Sequence, residues 1–151
     1  MICDAAKRAI LPMLLAAAAC APTPAAQTAP PPLAPGLARV WIVRELEPGT
    51  ALYAPYVTVD GVSMGISPQS TAFYRDLPPG RHVFDVENCL RHPEAARVLD
   101  LRPGEVASLQ VTSLENYAGW DCHPIDAYYL SPVPDQARPW YLARLNYLGA
   151  R

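Results

Sequence analysis

Turn sequences divide this chain, from residue 38 onward, into segments that are too short for long helices. Asp60-Gly61 lies between two runs of β-branched residues, and Pro-Gly pairs follow at 79–80 and 103–104. Both central residues of a type I′ hairpin turn need a positive φ, so Asp-Gly at such a place is typical of a β-hairpin. We therefore predict an all-β fold of about seven or eight short antiparallel strands, either a sandwich or a small barrel. The predicted strands are 38–46, 56–60, 62–66, 70–77, 81–88, 95–101, 105–114 and 125–130.

Residue patterning predicts how two of these strands are buried. The segment 38–46 is apolar on both faces, which is typical of a strand that is covered on both sides. In 81–88, the side chains of His82, Phe84 and Val86 fall on one face and alternate with more polar residues on the other. That alternation predicts a strand with one buried and one exposed face.

The last stretch, 132–151, fits two kinds of structure. Tyr141, Leu145 and Leu148 have helical spacing, and the same run is apolar enough to form a strand. Prolines at 132, 134 and 139 confine any helix to the residues after 139, because proline removes a donor and clashes inside a helix. We favour one short C-terminal helix.

The first 20 residues combine the features of an export signal. Lys7 and Arg8 give a positive start, and 9–19 is an apolar stretch of eleven residues. That stretch has the length of a signal core and is too short to span a bilayer. Small residues, ending in Ala18-Ala19, directly precede Cys20.

This order resembles the lipobox of bacterial lipoproteins, in which the cysteine thiol receives a diacylglycerol and the peptide is cut before it. The resemblance implies that 1–19 is a lipoprotein signal peptide and that Cys20 is the acylated anchor, carrying chains such as palmitate. Ala17 stands where that family prefers leucine, so cleavage at an Ala-x-Ala site with release of a soluble product stays open. Ala21, rather than aspartate, follows the cysteine, which resembles the class sorted to the outer membrane.

A proline-rich segment separates this signal from the predicted strands. Residues 21–36 contain six prolines and no charged residue. Such a segment cannot bury a core and favours extended polyproline II. We predict that 20–36 is a lipidated cysteine plus tether and that 37–151 is the β-sandwich domain.

The turn residues carry a second resemblance, which spans about 56–112. Val57-Thr58-Val59-Asp60-Gly61, then Gly65, Pro68, Leu77-Pro78-Pro79-Gly80 and His82, resemble the PEGA-type β-domain and related uncharacterised lipoprotein domains. The resemblance implies a small β-sandwich found in cell-envelope, surface-layer and carbohydrate-linked settings, mostly without enzymatic activity. Asn88-Cys89-Leu90 departs from it, since those domains place glycine and an aromatic residue there. Its turn motif consists of Asp60, Gly61, Gly65, Pro79, Gly80 and His82.

Two cysteines remain in the predicted domain, Cys89 and Cys122. An even pair in an exported protein predicts a disulfide. The alternative is a zinc or copper site formed by Cys89, His92, Cys122 and His123, and free thiols are a third possibility. We favour the disulfide and predict no cofactor.

No catalytic motif for hydrolysis, nucleotide binding or metal-dependent proteolysis is present in the sequence, so we predict no enzymatic activity. His82 and Asp60 are interpreted as structural turn residues. A net charge of −2 argues against nucleic acid as a partner. The late aromatic residues are interpreted as mainly core, and exposed rings that stack on sugars are the alternative.

The function predicted from the sequence is therefore that of an envelope lipoprotein, facing the periplasm from the outer membrane. Its module would bind a protein or glycan partner or serve a structural role. The alternative is a metal-binding envelope protein.

Overall fold

The computed structural model describes residues 29–48, 53–88, 96–114 and 127–151. Within these ranges it is an all-β sandwich, which confirms the predicted fold class. Each predicted strand is present with bounds shifted by a few residues, and a ninth follows a short helix. The elements are β1 (Ala38–Arg44), β2 (Tyr56–Val59), β3 (Val62–Ile66), β4 (Thr71–Leu77), β5 (Gly80–Val86), β6 (Arg97–Leu101), β7 (Val106–Leu114), β8 (Ala127–Pro132), α1 (Arg138–Arg144) and β9 (Asn146–Ala150).

The strands form two sheets. One has the order β8-β7-β1-β4-β9 and the other the order β3-β2-β5-β6. Two pairs, β1 with β7 and β4 with β9, are parallel, and the other pairs are antiparallel. The prediction of antiparallel pairing alone was therefore wrong for these two pairs. Parallel neighbours need a long crossover connection. Here the connection from β1 to β7 contains β2 to β6, and the connection from β4 to β9 contains β5 to α1.

The central strand β1 is buried along its whole length, which explains its apolar sequence on both faces. Val40 and Ile42 face the core between the sheets, where they pack with Phe73, Phe84 and other apolar side chains. The opposite face of the same sheet carries a second apolar cluster, which is partly covered by the segment that includes α1. This second cluster consists of Trp41, Val43, Ala72, Tyr74, Val133 and Leu145.

The C-terminal stretch contains both of the structures that its sequence fitted. Helix α1 begins at Arg138, with Pro139 in its first turn, so the prediction of a helix starting after 139 was wrong by two residues. The first turn of a helix tolerates proline because its N–H groups have no partner within the helix. The helix ends at Arg144, and β9 then adds a strand to the larger sheet beside β4.

The sandwich has two ends, which we name by the position of β1. The proximal end is where β1 begins, with Ala38 opposite Leu77 of β4. The distal end is where β1 finishes, with Arg44 opposite Thr71. Seven strand residues separate these ends by about 20 Å.

Candidate functional site

The turn between β2 and β3 at the proximal end has the geometry that its sequence requires. Asp60 and Gly61 have φ values of 51° and 77°. The Asp60 backbone N–H donates to the Val83 carbonyl at 2.8 Å, and the Val83 N–H donates to Asp60 Oδ1 at 2.9 Å. The backbone and the side chain of Asp60 therefore both link the hairpin to β5.

His82 joins this turn to the one that precedes β5. Its Nδ1 lies 2.7 Å from Asp60 Oδ2, and its Nε2 lies 2.9 Å from the Pro78 carbonyl oxygen. A carbonyl oxygen and a carboxylate can only accept, so both ring nitrogens are donors when both bonds form. The arrangement therefore fits the imidazolium form, with its charge next to the Asp60 carboxylate.

The two groups shift each other's titration in opposite directions. The hydrogen bond that His82 donates to Asp60 raises the pKa of His82 above its usual value, and partial desolvation, which lowers this pKa, is the smaller effect. The bond from the Val83 N–H, followed by that from His82, lowers the pKa of Asp60. Both ring nitrogens are engaged in structural bonds, so this histidine is poorly arranged to exchange a proton with a ligand.

We expect stability to depend on the protonation of His82. Because its folded pKa is raised, its contribution is fully present below about pH 6.5 and is lost as pH rises through the folded value. Asp60 acts oppositely: its contribution is lost as pH falls through its lowered pKa. The His82 contribution should be about 1 kcal/mol, since its partner Asp60 is 48% exposed and screened by water.

Urea unfolding across about pH 5 to pH 9 measures this dependence. His82→Gln should flatten the fall in unfolding free energy on the alkaline side. Arg81→Ala is a control that should keep it, because the neighbouring Arg81 side chain is 69% exposed. A His82→Gln protein with an unchanged alkaline slope would show that another group is responsible.

The remaining motif residues lie at turns and strand starts. Gly80 begins β5 with a φ of 136°, and Pro79 is exposed in the turn before it. Gly65 in β3 has a φ of 135°, and an added Cβ would lie 3.5 Å from Cδ of Arg151, at ordinary contact distance. Backbone conformation, rather than lack of space, is therefore what favours glycine at position 65.

A buried arginine lies at the distal end of the sandwich. Arg44 is 0% exposed, and its Nη1 donates to the carbonyls of Tyr53 at 2.9 Å and Ser67 at 2.8 Å. Its guanidinium carbon lies 5.0 Å from the centre of the Tyr128 ring. Its Nε and Nη2 and the Ser67 hydroxyl are buried and have no hydrogen-bond partner among the described residues. Arg44 was not among the candidate residues predicted from the sequence, although an arginine in a strand that is apolar on both faces was the available signal.

Two polar side chains, those of Glu87 and Asn88, form hydrogen bonds that link the segments around Arg44. Glu87 Oε2 accepts bonds from the Tyr53 hydroxyl at 2.8 Å and from the Tyr56 N–H at 3.1 Å. The first of these bonds raises the pKa of Tyr53. The Asn88 amide donates to the Tyr128 carbonyl at 2.6 Å and accepts from the Tyr128 N–H. Asn88 thereby supplies hydrogen-bond partners to the backbone N–H and carbonyl of Tyr128 in β8, which is an edge strand of its sheet.

The end of the predicted tether is bound at the proximal end. Arg39 forms two bonds with the Asp76 carboxylate, at 2.6 and 2.8 Å, and its Nη1 donates to the Pro31 carbonyl at 2.8 Å. Its guanidinium carbon lies 4.0 Å from the centre of the Tyr74 ring. The bond to Asp76 raises the pKa of Arg39. The chain before β1 is therefore held against the sandwich by a nearly buried cation.

Several predicted site residues lie outside the described residues: Cys20, Cys89, His92, Cys122 and His123. The disulfide and the alternative metal site therefore stay predictions. Within the described ranges, no three histidine, cysteine or acidic side chains are grouped as metal ligands. No helix in the same ranges is long and apolar enough to cross a bilayer.

Comparison with known proteins gives no match to a family model and no match to a curated protein. The residues of the site must therefore be interpreted from their own chemistry. The proximal end holds paired charges that fasten turns and the tether. The distal end holds a buried cation, hydrogen-bonding side chains and, beside α1, an exposed aromatic ring.

Proposed function

We propose that this protein is a membrane-anchored envelope lipoprotein whose sandwich is a non-catalytic binding or structural module. The observation that carries the proposal is the bond between Arg39 and the Pro31 carbonyl. This bond holds the part of the tether nearest the domain against the proximal end of the sandwich. The distal end, about 20 Å away, would then face away from the lipid and toward an envelope protein or glycan partner.

The docking point also sets how far the domain can stand from the membrane. About ten residues separate Cys20 from Pro31, and an extended polyproline II segment of that length would reach about 31 Å. The headgroup region on one side of a bilayer is only about 5–8 Å deep. A domain tethered in this way would clear the lipid surface, as a module that binds a separate partner requires.

The chemistry of the described residues supports a module without catalysis. His82, the histidine at the proximal turns, has both ring nitrogens bonded to acceptors within the fold. Arg44 is fully enclosed, and Arg39 is paired with Asp76. These charged groups fasten strands and turns rather than converging on a common reacting position.

Changing the proposed anchor tests the proposal directly. Cys20→Ser should abolish labelling by radioactive palmitate and remove the acyl mass from the mature protein, because the hydroxyl cannot replace the thiol in lipidation. Each acyl chain contributes about 0.8 kcal/mol per buried CH₂, so the unlipidated protein should lose firm membrane association.

Cys3→Ser is the matched control, since it removes a cysteine from the segment proposed to be cleaved. Labelling, mature mass and membrane fraction should be unchanged in that variant. A wild-type protein that retains its starting methionine and carries no fatty-acid mass would contradict the proposal.

A further inference from the structure

A small cleft lies at the distal end, between the segment after β1 and helix α1. Its volume is about 120 Å³, and its lining includes Glu45, Leu46, Ser70, Trp140, Tyr141 and Arg144. The share of one water molecule in the liquid is about 30 Å³, so the cleft holds one ring-sized group rather than a drug-sized ligand.

One wall of the cleft is an aromatic ring held in place from two sides. Trp140 is 48% exposed, and the Tyr141 ring meets it edge-on with centroids 5.0 Å apart. The guanidinium of Arg144, one helical turn later, lies 4.5 Å from the centre of the indole. An exposed indole fixed in this way is prepared to contact a ligand without losing much conformational freedom.

A second wall includes Tyr141, from which a chain of hydrogen bonds leads to the carboxylate of Glu45. The Tyr141 hydroxyl donates to Gln110 Oε1 at 2.9 Å, and the Gln110 amide lies 3.4 Å from Glu45 Oε2. Partial burial, followed by the charge of Glu45, raises the pKa of Tyr141, so this hydroxyl keeps its proton over the physiological range. The chain orients Glu45 at the cleft.

The charges of the two walls are opposite and are not paired with each other. In the described part of the chain, the interaction found for Arg144 is its contact with Trp140. The cleft therefore offers one cationic donor group, one anionic acceptor group and an apolar ring. A strongly charged ligand such as phosphate would be attracted by one wall and repelled by the other.

We propose that this cleft binds one pyranose unit of a glycan chain, a proposal that rests on the proposed function and names the ligand class of its binding module. The C–H face of a sugar ring would pack on Trp140. Its hydroxyls would donate to Glu45 and accept from Arg144. An aromatic amino-acid side chain such as that of phenylalanine would fill the same space but would offer no hydroxyl to the half-buried Glu45.

Binding of soluble oligosaccharides to the wild-type protein tests this proposal. Titration calorimetry with chitohexaose and cellohexaose should give saturable binding by at least one of them. Trp140→Ala should weaken that binding about tenfold or more, the ratio that corresponds to about 1.4 kcal/mol of lost stacking. Trp140→Phe should recover part of it, and Glu45→Gln should weaken binding while leaving the ring in place.

Tyr56→Ala is the matched control, because Tyr56 is 51% exposed and lies in the other sheet. This variant should bind like the wild type, and all variants should keep the wild-type unfolding transition. A peptide with an aromatic side chain, such as Ala-Phe-Ala, that binds through Trp140 in place of the sugars would overturn the proposal. So would the absence of sugar binding, or sugar binding that Trp140→Ala leaves unchanged. None of these results would affect acylation of Cys20, so the two proposals fail separately.

Discussion

Arg44→Ala is expected to lower the free energy of unfolding by about 3–5 kcal/mol. Removing a long, fully buried side chain leaves a cavity, which for a similar Met→Ala change costs about 2–5 kcal/mol. The change also leaves the buried Ser67 carbonyl without its Arg44 donor, at about 1–3 kcal/mol. The part-buried Tyr53 carbonyl loses the same donor but still accepts from the Tyr128 hydroxyl at 3.4 Å. Part of this loss is offset because two buried nitrogens of the guanidinium have no partner within the part of the chain that the structure describes. Urea unfolding monitored by circular dichroism measures the difference.

Arg44→Met separates the packing part of this loss from the polar part. Methionine keeps most of the volume and removes the buried charge, and such replacements are often near neutral. We expect Arg44→Met to recover about 2 kcal/mol relative to alanine. Arg81→Ala is the exposed control, because its side chain is 69% exposed and its ion pair with Asp100 is 3.9 Å long. An Arg44→Ala protein that loses no more stability than Arg81→Ala would show that the buried position contributes little.

Local signals made the strands predictable. Asp60-Gly61 specifies its own turn, because its backbone chemistry is independent of the rest of the fold. The alternation in β5 likewise follows from one buried face, and Phe84 and Val86 lie on it. Such local rules place strands and turns along the chain, and they were sufficient for the fold class.

Contacts between distant parts of the chain were not predictable in this way. The parallel pairing of β1 with β7 depends on the path of the chain through β2 to β6, which connects these two strands. No local sequence pattern encodes that path. Asp60 and His82 were both named from the turn motif, but their contact joins residues 22 positions apart. It follows from the pairing of β2 with β5, which brings Asp60 beside Val83.

The burial of the late aromatic residues was likewise predictable only in part. The late aromatics were interpreted as mainly core, and Tyr128 is indeed buried at 1% exposure. Trp140 differs because it lies on a helix of seven residues, and the apolar contacts of that segment are made by Tyr141 and Leu145. Periodicity in a short helix cannot distinguish these positions when both helix and strand fit the sequence.

Arg39→Ala is expected to lower the free energy of unfolding by about 2–4 kcal/mol and to release the end of the tether. The Arg39 side chain is 6% exposed and that of Asp76 25%, so the variant leaves a largely desolvated carboxylate without its cation. Breaking a buried ion pair from one side costs about 3–5 kcal/mol, and the partial exposure of Asp76 reduces that figure. The bond to the Pro31 carbonyl is lost at the same time.

Amide hydrogen exchange distinguishes release of the tether from a general loss of stability. The Leu37 N–H donates to Ala34, and the Gly104 N–H donates to Leu37, so both amides report on the chain just before β1. In Arg39→Ala they should exchange faster by more than the change in global stability allows, because the segment that they fasten opens separately. Amides in β1 itself should follow the global change.

Arg102→Ala is the matched control for charge, since it removes an exposed arginine from the same end of the sandwich. Exchange at the Leu37 and Gly104 amides should be unchanged in that variant. If Arg39→Ala accelerated those amides no more than the amides of β1, the tether would be held by something other than Arg39. If it accelerated them selectively, about six more tether residues, 31–36, would be free, adding about 19 Å of extended reach between Cys20 and the sandwich. Arg39 would then control how far the module stands from the membrane.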